Sequence, residues 1–246
     1  METIKLFLKK IINASIFKIF IIYLLRNELV SQRFKNLIKL QGMHYIYKSR
    51  IKIYNNEHDA VSRDLSIFGI PKKEREIFDR FISEVNSANS FLDIGAGIGL
   101  YTLFALDQNS NISTLSIEPN PQVFETLNRN LEIFSFSRSN IKTLNKAVST
   151  KNSSFEFFIP TGDDFSYGTS NKNLLIKKNI SFSSIFVKTT DLSKFKKNHF
   201  DIIKIDVEGS EIDVIKTISP ILKNCKILFI EIMYENKSEV YDLLKE

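Results

Sequence analysis

Residues 91–100 read Phe91-Leu-Asp-Ile-Gly-Ala-Gly-Ile-Gly-Leu100, an apolar run that leads into three closely spaced glycines. The run predicts a buried strand, and the segment from Leu100 to Leu106 reads as the start of a helix. Glycine suits a tight turn between strand and helix because it adopts backbone angles that other residues avoid. Without a Cβ it also lets a ligand lie against backbone amides near the helix N-terminus. These residues therefore predict a ligand site at the end of a strand.

On the C-terminal side of this turn, strand and helix patterns alternate, which predicts parallel strands joined by helical crossovers. The fold class is therefore α/β, with a doubly wound, mostly parallel sheet. A polar loop, 161–173, lies between two further strand patterns, 155–160 and 184–190, which we interpret as an inserted strand pair. The predicted sheet strands are 91–94, 114–117, 141–148, 200–205 and 226–232, and the predicted helices are 100–106, 121–133, 211–222 and 239–245.

The composition is that of a folded protein, since 43% of the 246 residues are hydrophobic and 25% are charged. These fractions exclude wholesale disorder and a fibrous repeat. Cys225 is the single cysteine, so no disulfide can form within the chain, and three histidines are too few for a zinc site of the Cys/His type. The chemistry must therefore come from other residue types.

The positive charge is concentrated near the N-terminus. Residues 1–50 carry ten Lys and Arg against two Glu, a net charge of +8, whereas the remaining 196 residues sum to −2. A near-neutral body argues against nucleic acid as a partner. We therefore divide the chain into a basic, apolar helical extension with a strand or hairpin, 1–55, and a main α/β domain, 56–246.

The pattern from Ile4 to Leu40 is helical, and residues 44–54 read as a strand or hairpin. The uncharged runs 11–17 and 19–25 are shorter than the roughly 20 apolar residues of a spanning helix, and Lys18 argues against a signal peptide. We therefore expect a cytoplasmic protein. Two interpretations of residues 1–40 remain open: helices that pack on the main domain, and an amphipathic anchor in peripheral contact with a membrane.

The second predicted strand ends in Glu118, 23 residues after Gly95. A carboxylate at the end of the second strand of such a fold can accept hydrogen bonds from both hydroxyls of a ribose. The alternative is that Glu118 only caps the helix that follows it. We favour a nucleoside ligand.

The glycine spacing separates two cofactors that contain a nucleoside. Nicotinamide sites carry G-x-G-x-x-G and bind a pyrophosphate, whereas here the spacing is G-x-G-x-G and Asp93 comes two residues before the first glycine. A carboxylate at that point is unfavourable for a pyrophosphate and favourable for the ammonium group of S-adenosylmethionine, directly or through water. We therefore expect S-adenosylmethionine, with a nicotinamide-dependent oxidoreductase as the alternative.

A third acidic group follows the strand pattern of 201–205. Asp206, Glu208 and Glu211 come at its end, beside a glycine turn and the next helix. At the carboxyl edge of an open α/β sheet such residues lie in the ligand crevice. Asp206 as a helix cap and Glu211 as a charge in the first helical turn are the structural alternatives. A divalent metal held by Asp206, Glu208 and Glu231 is a weaker interpretation, and we assign no metal site.

Together these motifs resemble the FkbM family of S-adenosylmethionine-dependent methyltransferases, over residues 91–231. The resemblance is carried by Leu92-Asp-Ile-Gly-Ala-Gly-Ile-Gly, Ile117-Glu-Pro-Asn-Pro, Asn145-Lys-Ala, Thr190-Asp-Leu, Lys204-Ile-Asp-Val-Glu-Gly-Ser-Glu211 and Ile230-Glu231. It implies a Rossmann-like class I methyltransferase fold and O-methylation of a sugar or polyketide hydroxyl. It also implies that the turn from Asn145 to Ala147 lies near the adenine. The cofactor-binding set is then Asp93, Gly95, Ala96, Gly97, Glu118, Pro119, Asn145, Ala147 and Asp206.

Methyl transfer to a hydroxyl needs a base near the methyl group, and we expect Asp206 or Glu208 in that role. For the acceptor, a small molecule or glycan, we expect contacts from Asp164, Tyr167 and Glu211. An RNA methyltransferase and an inactive membrane-associated remnant remain alternatives. The closing strand pair usual in the family has no counterpart after Ile232, so we expect strand 226–232 at an edge of the sheet.

Overall fold

The computed structural model describes residues 15–29, 31, 38–56, 59–134, 138–150, 153–161, 168–195 and 199–245. These residues fall in two compact units, one within residues 1–75 and the other within residues 76–245. The structural division thus falls after Arg75, while the functional division of the chain at residue 55 stays a prediction.

The first unit contains a helix, a hairpin and a second helix: α1 Ser15–Arg26, β1 Gly42–Tyr45, β2 Lys52–Asn55 and α2 Ala60–Phe68. The predicted hairpin is confirmed, because β1 and β2 pair antiparallel. The prediction of helix up to Leu40 is wrong for the described residues after Arg26, where the chain turns and Glu28 has a φ of 59°. The parts of that prediction at 4–14, 30 and 32–37 lie outside the described residues. Nowhere in the described ranges is there a helix of the length and apolar character needed to cross a membrane.

The second unit contains the central sheet. The described strands of this sheet all pair in parallel, as the βαβ pattern predicts. The elements from Arg75 onward are α3 Arg75–Val85, β3 Ser90–Ile94, α4 Leu100–Gln108, β4 Ser113–Ile117, α5 Pro121–Ile133, β5 Ile141–Leu144, β6 Ala147–Val148, β7 Ser154–Pro160, α6 Lys172–Lys177, β8 Phe182–Thr190, β9 Ile202–Ile205, α7 Glu211–Leu222, β10 Ile227–Ile230 and α8 Lys237–Lys245.

The strand order in this sheet is β10-β9-β3-β4-β5. The chain therefore runs outward from β3 in one direction, then returns to continue from β9 in the other. Ligands of open α/β sheets bind outside the carboxyl ends of the strands at such a reversal. The Rossmann-like prediction is confirmed, and the crevice falls where β3 and β9 end. Strand β10 lies at one edge of the sheet, as predicted for 226–232.

A smaller sheet has the order β6-β8-β7. The inserted strand pair is confirmed, since β7 and β8 pair antiparallel from Ser154↔Lys188 to Pro160↔Phe182. The single strand predicted for 141–148 is wrong, because the chain leaves the central sheet at Asn145 and enters the smaller one at Ala147. Helix α6 begins within the loop predicted for 161–173 and continues through residues for which no element was predicted.

Candidate functional site

The glycine turn after β3 closes on the end of β4. The amides of Gly95 and Ala96 both donate to the carbonyl oxygen of Ile117, at 2.9 and 3.0 Å. The amide of Gly97 donates to Oε2 of Glu118 at 3.0 Å. This differs from our expectation that the amides of the turn face the ligand. They instead fix the geometry of the two strand ends. Contact of Gly95, Ala96 and Gly97 with the cofactor stays a prediction.

Gly95 is required by the close approach of β9. Its φ is +77°, and a Cβ at this position would lie 1.7 Å from the carbonyl oxygen of Asp206. The amide of Asp206 in turn donates to the carbonyl of Ile94 at 3.0 Å. The ends of β3 and β9 can therefore meet at the crevice only if residue 95 has no side chain.

Asp93 is a buried carboxylate with one oxygen in use. The residue is 1% exposed, and its Oδ2 accepts a 2.7 Å hydrogen bond from Oγ1 of Thr102, whose hydroxyl also lies 2.7 Å from that of Ser116. Oδ1 has no hydrogen-bond partner among the described residues. Burial raises the pKa of Asp93, while Lys204 and the Thr102 hydrogen bond act in the opposite direction. An unpartnered buried carboxylate oxygen suits a cationic donor such as an ammonium group.

Lys204 lies between the carboxylates of this site. It projects from β9 beside Asp93 in the strand register and is 8% exposed. Its Nζ donates to Oδ2 of Asp206 at 3.1 Å and lies 4.6 Å from the centre of the Tyr101 ring. Burial opposes the charge, but Asp206 and Asp93 outweigh it and raise the pKa of Lys204. The residue is therefore an ammonium ion held between two acidic groups, a role that the sequence analysis did not assign.

Glu118 follows β4 and is 2% exposed. Its Oε1 accepts from the amide of Asn120 at 2.8 Å, in addition to the bond from Gly97 to Oε2. Asn120 is itself the N-cap of α5. The helix-capping alternative is thus partly right, since Glu118 orders the residue that caps the helix. A carboxylate has about four acceptor positions, so two amide bonds orient Glu118 and leave capacity for two ribose hydroxyls.

Burial raises the pKa of Glu118 to about 8, against the two amide donors and with the help of the Asp93 and Asp206 charges. A raised pKa in the folded state stabilises the protein below the unfolded value of 4.5, and this contribution is lost as the pH rises to about 8.

We therefore expect the stability of the wild type relative to Glu118→Gln to fall by roughly 3–5 kcal/mol between pH 4.5 and pH 8. Urea unfolding of both proteins at several pH values measures the difference. Glu125→Gln, at an exposed position of α5, is the control for the loss of one carboxyl group. A difference that stays constant, or that grows with pH, would contradict this account of Glu118.

The turn at Asn145 lies against the loop that follows β4. The Nδ2 of Asn145 donates to the carbonyl oxygens of Glu118 and Pro119, at 2.9 and 3.0 Å. Ala147 is 9% exposed and pairs with Thr189 in the smaller sheet. The structure thus brings Pro119 and Asn145 to Glu118. Their contact with the adenine, and that of Ala147, stay predictions.

The turn after β9 has an unusual backbone. Glu208 has a φ of 48° and Gly209 a φ of 101°. The hydroxyl of Thr169 donates to the carbonyl of Glu208 at 2.7 Å. Glu211 is 1% exposed, and its two oxygens accept from the amide of Gly209 and the side chain of Asn236. The first-turn structural alternative fits Glu211 well, and its contact with an acceptor stays a prediction.

Two of the predicted acceptor contacts, Asp164 and Tyr167, lie outside the described residues. Their role as acceptor contacts also stays a prediction. Within the ranges that the structure describes, no group of three His, Cys, Asp or Glu side chains is arranged to hold a metal ion.

The site fits S-adenosylmethionine in two respects. The unpartnered Oδ1 of Asp93 offers an acceptor for the methionine ammonium, and Glu118 offers one for the ribose hydroxyls. The amides of Gly95, Ala96 and Gly97, which a pyrophosphate would need, are already bound within the protein. The two carboxyl acceptors, together with the amides already bound within the protein, therefore favour S-adenosylmethionine over a nicotinamide cofactor.

Comparison with solved structures finds distant methyltransferases. The FkbM methyltransferase of Methylobacillus flagellatus KT has a TM-score of 0.41 and 16% identity. The match covers 58% of this chain and 32% of that one. The precorrin-6y C5,15-methyltransferase of Geobacter metallireducens GS-15 has a TM-score of 0.40 and 14% identity, over 71% of this chain and 73% of that one. A SAM-dependent methyltransferase of Agrobacterium tumefaciens has a TM-score of 0.47 and 8% identity, over 85% of this chain and 59% of that one.

Comparison of the sequence with protein families, rather than with solved structures, shows the family of this chain. No curated protein matches the chain. Residues 93–246, however, match the Methyltransferase FkbM domain, and this match covers more than half of the chain. The chain belongs to the FkbM methyltransferase family, whose cofactor is S-adenosylmethionine.

Proposed function

We propose that the protein is an S-adenosylmethionine-dependent O-methyltransferase that acts on a hydroxyl of a sugar, a glycan or a related small molecule. The observation that carries the proposal is the set of carboxylates at the ends of three adjacent strands: Asp93 on β3, Glu118 after β4 and Asp206 after β9. Membership of the FkbM family supports it further.

In this proposal each carboxylate has a separate task. Asp93 binds the ammonium group through Oδ1, and Glu118 orients the ribose through its two oxygens. When bound, the cofactor supplies an electrophilic methyl group on a positively charged sulfur. The protein aligns the acceptor oxygen with that methyl group, and Asp206 or Glu208 receives the hydroxyl proton.

The test is a methyl-transfer assay with S-adenosylmethionine carrying a labelled methyl group. Monosaccharides, oligosaccharides, a glycan extract and total RNA are offered as separate acceptors. We expect label in a carbohydrate fraction and none in RNA, in keeping with the net charge of −2 on residues 51–246. The label should survive mild alkali, because a methyl ether resists hydrolysis and a methyl ester does not. Label confined to RNA, or released by alkali, would contradict the O-methylation of a sugar.

Peripheral contact with a membrane through residues 1–40 also stays a proposal. It is supported by the exposure of Ile19, Phe20 and Tyr23, which are 70%, 56% and 58% exposed on α1. Flotation with anionic liposomes tests it, and a protein that stays with the soluble fraction would contradict it.

A further inference from the structure

We propose that Glu208, rather than Asp206, receives the acceptor proton, and that Thr169 is the positioning residue that holds Glu208 in place. This inference rests on the proposed O-methyltransferase function. It assigns Thr169 a role that the sequence motifs do not indicate, and it separates two carboxylates that the motifs leave equivalent.

Asp206 is poorly suited to accept a proton because it is the partner of a buried cation. Its Oδ2 lies 3.1 Å from Nζ of Lys204, whose side chain is 10% exposed. A proton on Asp206 would remove that partner and leave a buried ammonium group with less compensation, which is unfavourable. In this arrangement Asp206 is the counter-ion of Lys204 and fixes the position of its ammonium group.

Glu208 has the opposite surroundings. Its side chain makes no hydrogen bond with any other residue in the described part of the chain. The charged groups around it are mostly acidic: Asp206 at the end of β9, Glu231 after β10 and Glu211 at the start of α7, against Lys178 at the end of α6. Glu208 is exposed as a residue, but the groups packed around its carboxyl desolvate it. This desolvation and then the Asp206 and Glu231 charges raise the pKa of Glu208, with Lys178 opposing them. A proton on Glu208 relieves these repulsions, which favours its action as a base.

The backbone of Glu208 is held in a conformation that such a residue avoids. A φ of 48° lies in the left-handed region, where a residue with a long side chain is strained. Strain of this kind persists only when the surrounding structure enforces it, and it is concentrated at functional sites. The next residue, Gly209, has a φ of 101° and carries no such cost.

Thr169 holds the Glu208 peptide through a side-chain hydrogen bond. It is 2% exposed, and its amide and carbonyl both pair with Phe158 of β7, at 2.9 and 2.8 Å. Its hydroxyl accepts from the amide of Asn171 at 2.9 Å and donates to the carbonyl of Glu208 at 2.7 Å. The hydroxyls of Ser170 and Ser210 also meet across the same contact. Thr169 thus ties the Glu208 peptide to a paired strand of the smaller sheet.

The proposed step balances in atoms and charge. The acceptor oxygen forms a bond to the methyl carbon while the bond from that carbon to sulfur breaks, and the electron pair of that bond stays on sulfur. The hydroxyl proton passes to the carboxylate of Glu208, which becomes neutral and later returns the proton to water.

The first arm of the test needs no acceptor, since it measures strain by thermal unfolding. Glu208→Gly and Glu208→Gln both remove the charge, so their difference reports the backbone. We expect the glycine variant to have the higher Tm, by about 2–4 °C. At Glu156, within strand β7, the glycine variant should instead have a lower Tm than the glutamine variant, because glycine weakens a strand. In a Thr169→Val background the difference at residue 208 should shrink, while Thr169→Ser should preserve it.

The second arm measures the pH profile of methyl transfer with the acceptor found above. We expect Glu208→Gln to lower kcat at least about 100-fold and to abolish the rise of the rate with pH. Asp206→Asn should lower the rate but keep that rise. Thr169→Val should lower kcat with an unchanged KM for S-adenosylmethionine, and Thr169→Ser should restore it.

Each arm can overturn its part of the proposal. A pH rise that survives in Glu208→Gln and vanishes in Asp206→Asn would assign the base to Asp206. A glycine variant at residue 208 less stable than the glutamine variant, or a difference unaffected by Thr169→Val, would remove Thr169 as the positioning residue. A wild type that binds S-adenosylhomocysteine but methylates no acceptor overturns the proposed function and the base assignment together, and leaves the Thr169 contact to be decided by the unfolding data.

Discussion

Replacement of Gly95 by alanine should destabilise the protein by more than about 4 kcal/mol. The added Cβ would lie 1.7 Å from the carbonyl oxygen of Asp206, and the atom that it meets belongs to the backbone. No rotation of a side chain can relieve that overlap, so β3 and β9 must separate at the crevice. Chemical unfolding measures the loss, and we expect the cofactor site to be lost with it.

The matched control for this prediction is Gly42→Ala. Gly42 has a φ of +90°, close to that of Gly95, and a Cβ there would have nothing within 4 Å. The control therefore carries the backbone strain without the overlap, and it should cost about 1–2 kcal/mol. Equal losses in the two variants would mean that backbone strain alone accounts for Gly95, and would contradict the close approach of β9.

Replacement of Lys204 by methionine should cost about 3–5 kcal/mol of stability at neutral pH. Methionine has a similar length, so packing is largely kept, but the cation between Asp93 and Asp206 is lost. Asp93 is 1% exposed and would be left as a buried charge without its counter-ion. Part of the loss should be recovered at low pH, where the carboxyl groups take up protons.

Lys216→Met is the control for this second prediction. Lys216 and Glu239 form a closer pair, 2.8 Å against 3.1 Å, but both side chains are 54% exposed. An ion pair in contact with water contributes little, so the control should lose less than about 1 kcal/mol. A loss at Lys204 no greater than that at Lys216 would show that burial of the Lys204 pair is not what makes it matter.

Local patterns were enough to predict the central sheet and the position of its crevice. The alternation of strands and helices predicts the parallel sheet, and the glycines at 95, 97 and 99 predict the turn at its switch point. Asp93 is the next-to-last residue of β3 and Glu118 directly follows β4, so both lie at the carboxyl edge of the sheet. Their contact with the cofactor stays a prediction. The strand break at Asn145 was not predictable in the same way, since apolar residues continue on both sides of it.

The partners of the site residues were harder to predict, for a physical reason. Thr102 and Ser116 meet Asp93 only through the register of β3 and β4 and the packing of α4, and Thr169 meets Glu208 across 39 residues of chain. Such contacts depend on tertiary structure, and no short spacing reports them. Lys204 is the exception. It lies in β9 and Asp206 directly follows that strand, so an extended backbone that continues by one residue puts the two side chains on the same face, a pairing that the sequence could have indicated.

The most direct test of the cofactor site is a crystal structure of the protein grown with S-adenosylhomocysteine. We expect the ribose hydroxyls to lie within hydrogen-bond distance of the Glu118 oxygens, and the ammonium group to meet Oδ1 of Asp93, directly or through one water. A ligand bound elsewhere, or a crevice that stays closed with Asp93 Oδ1 still lacking a donor, would contradict the assignment of this site.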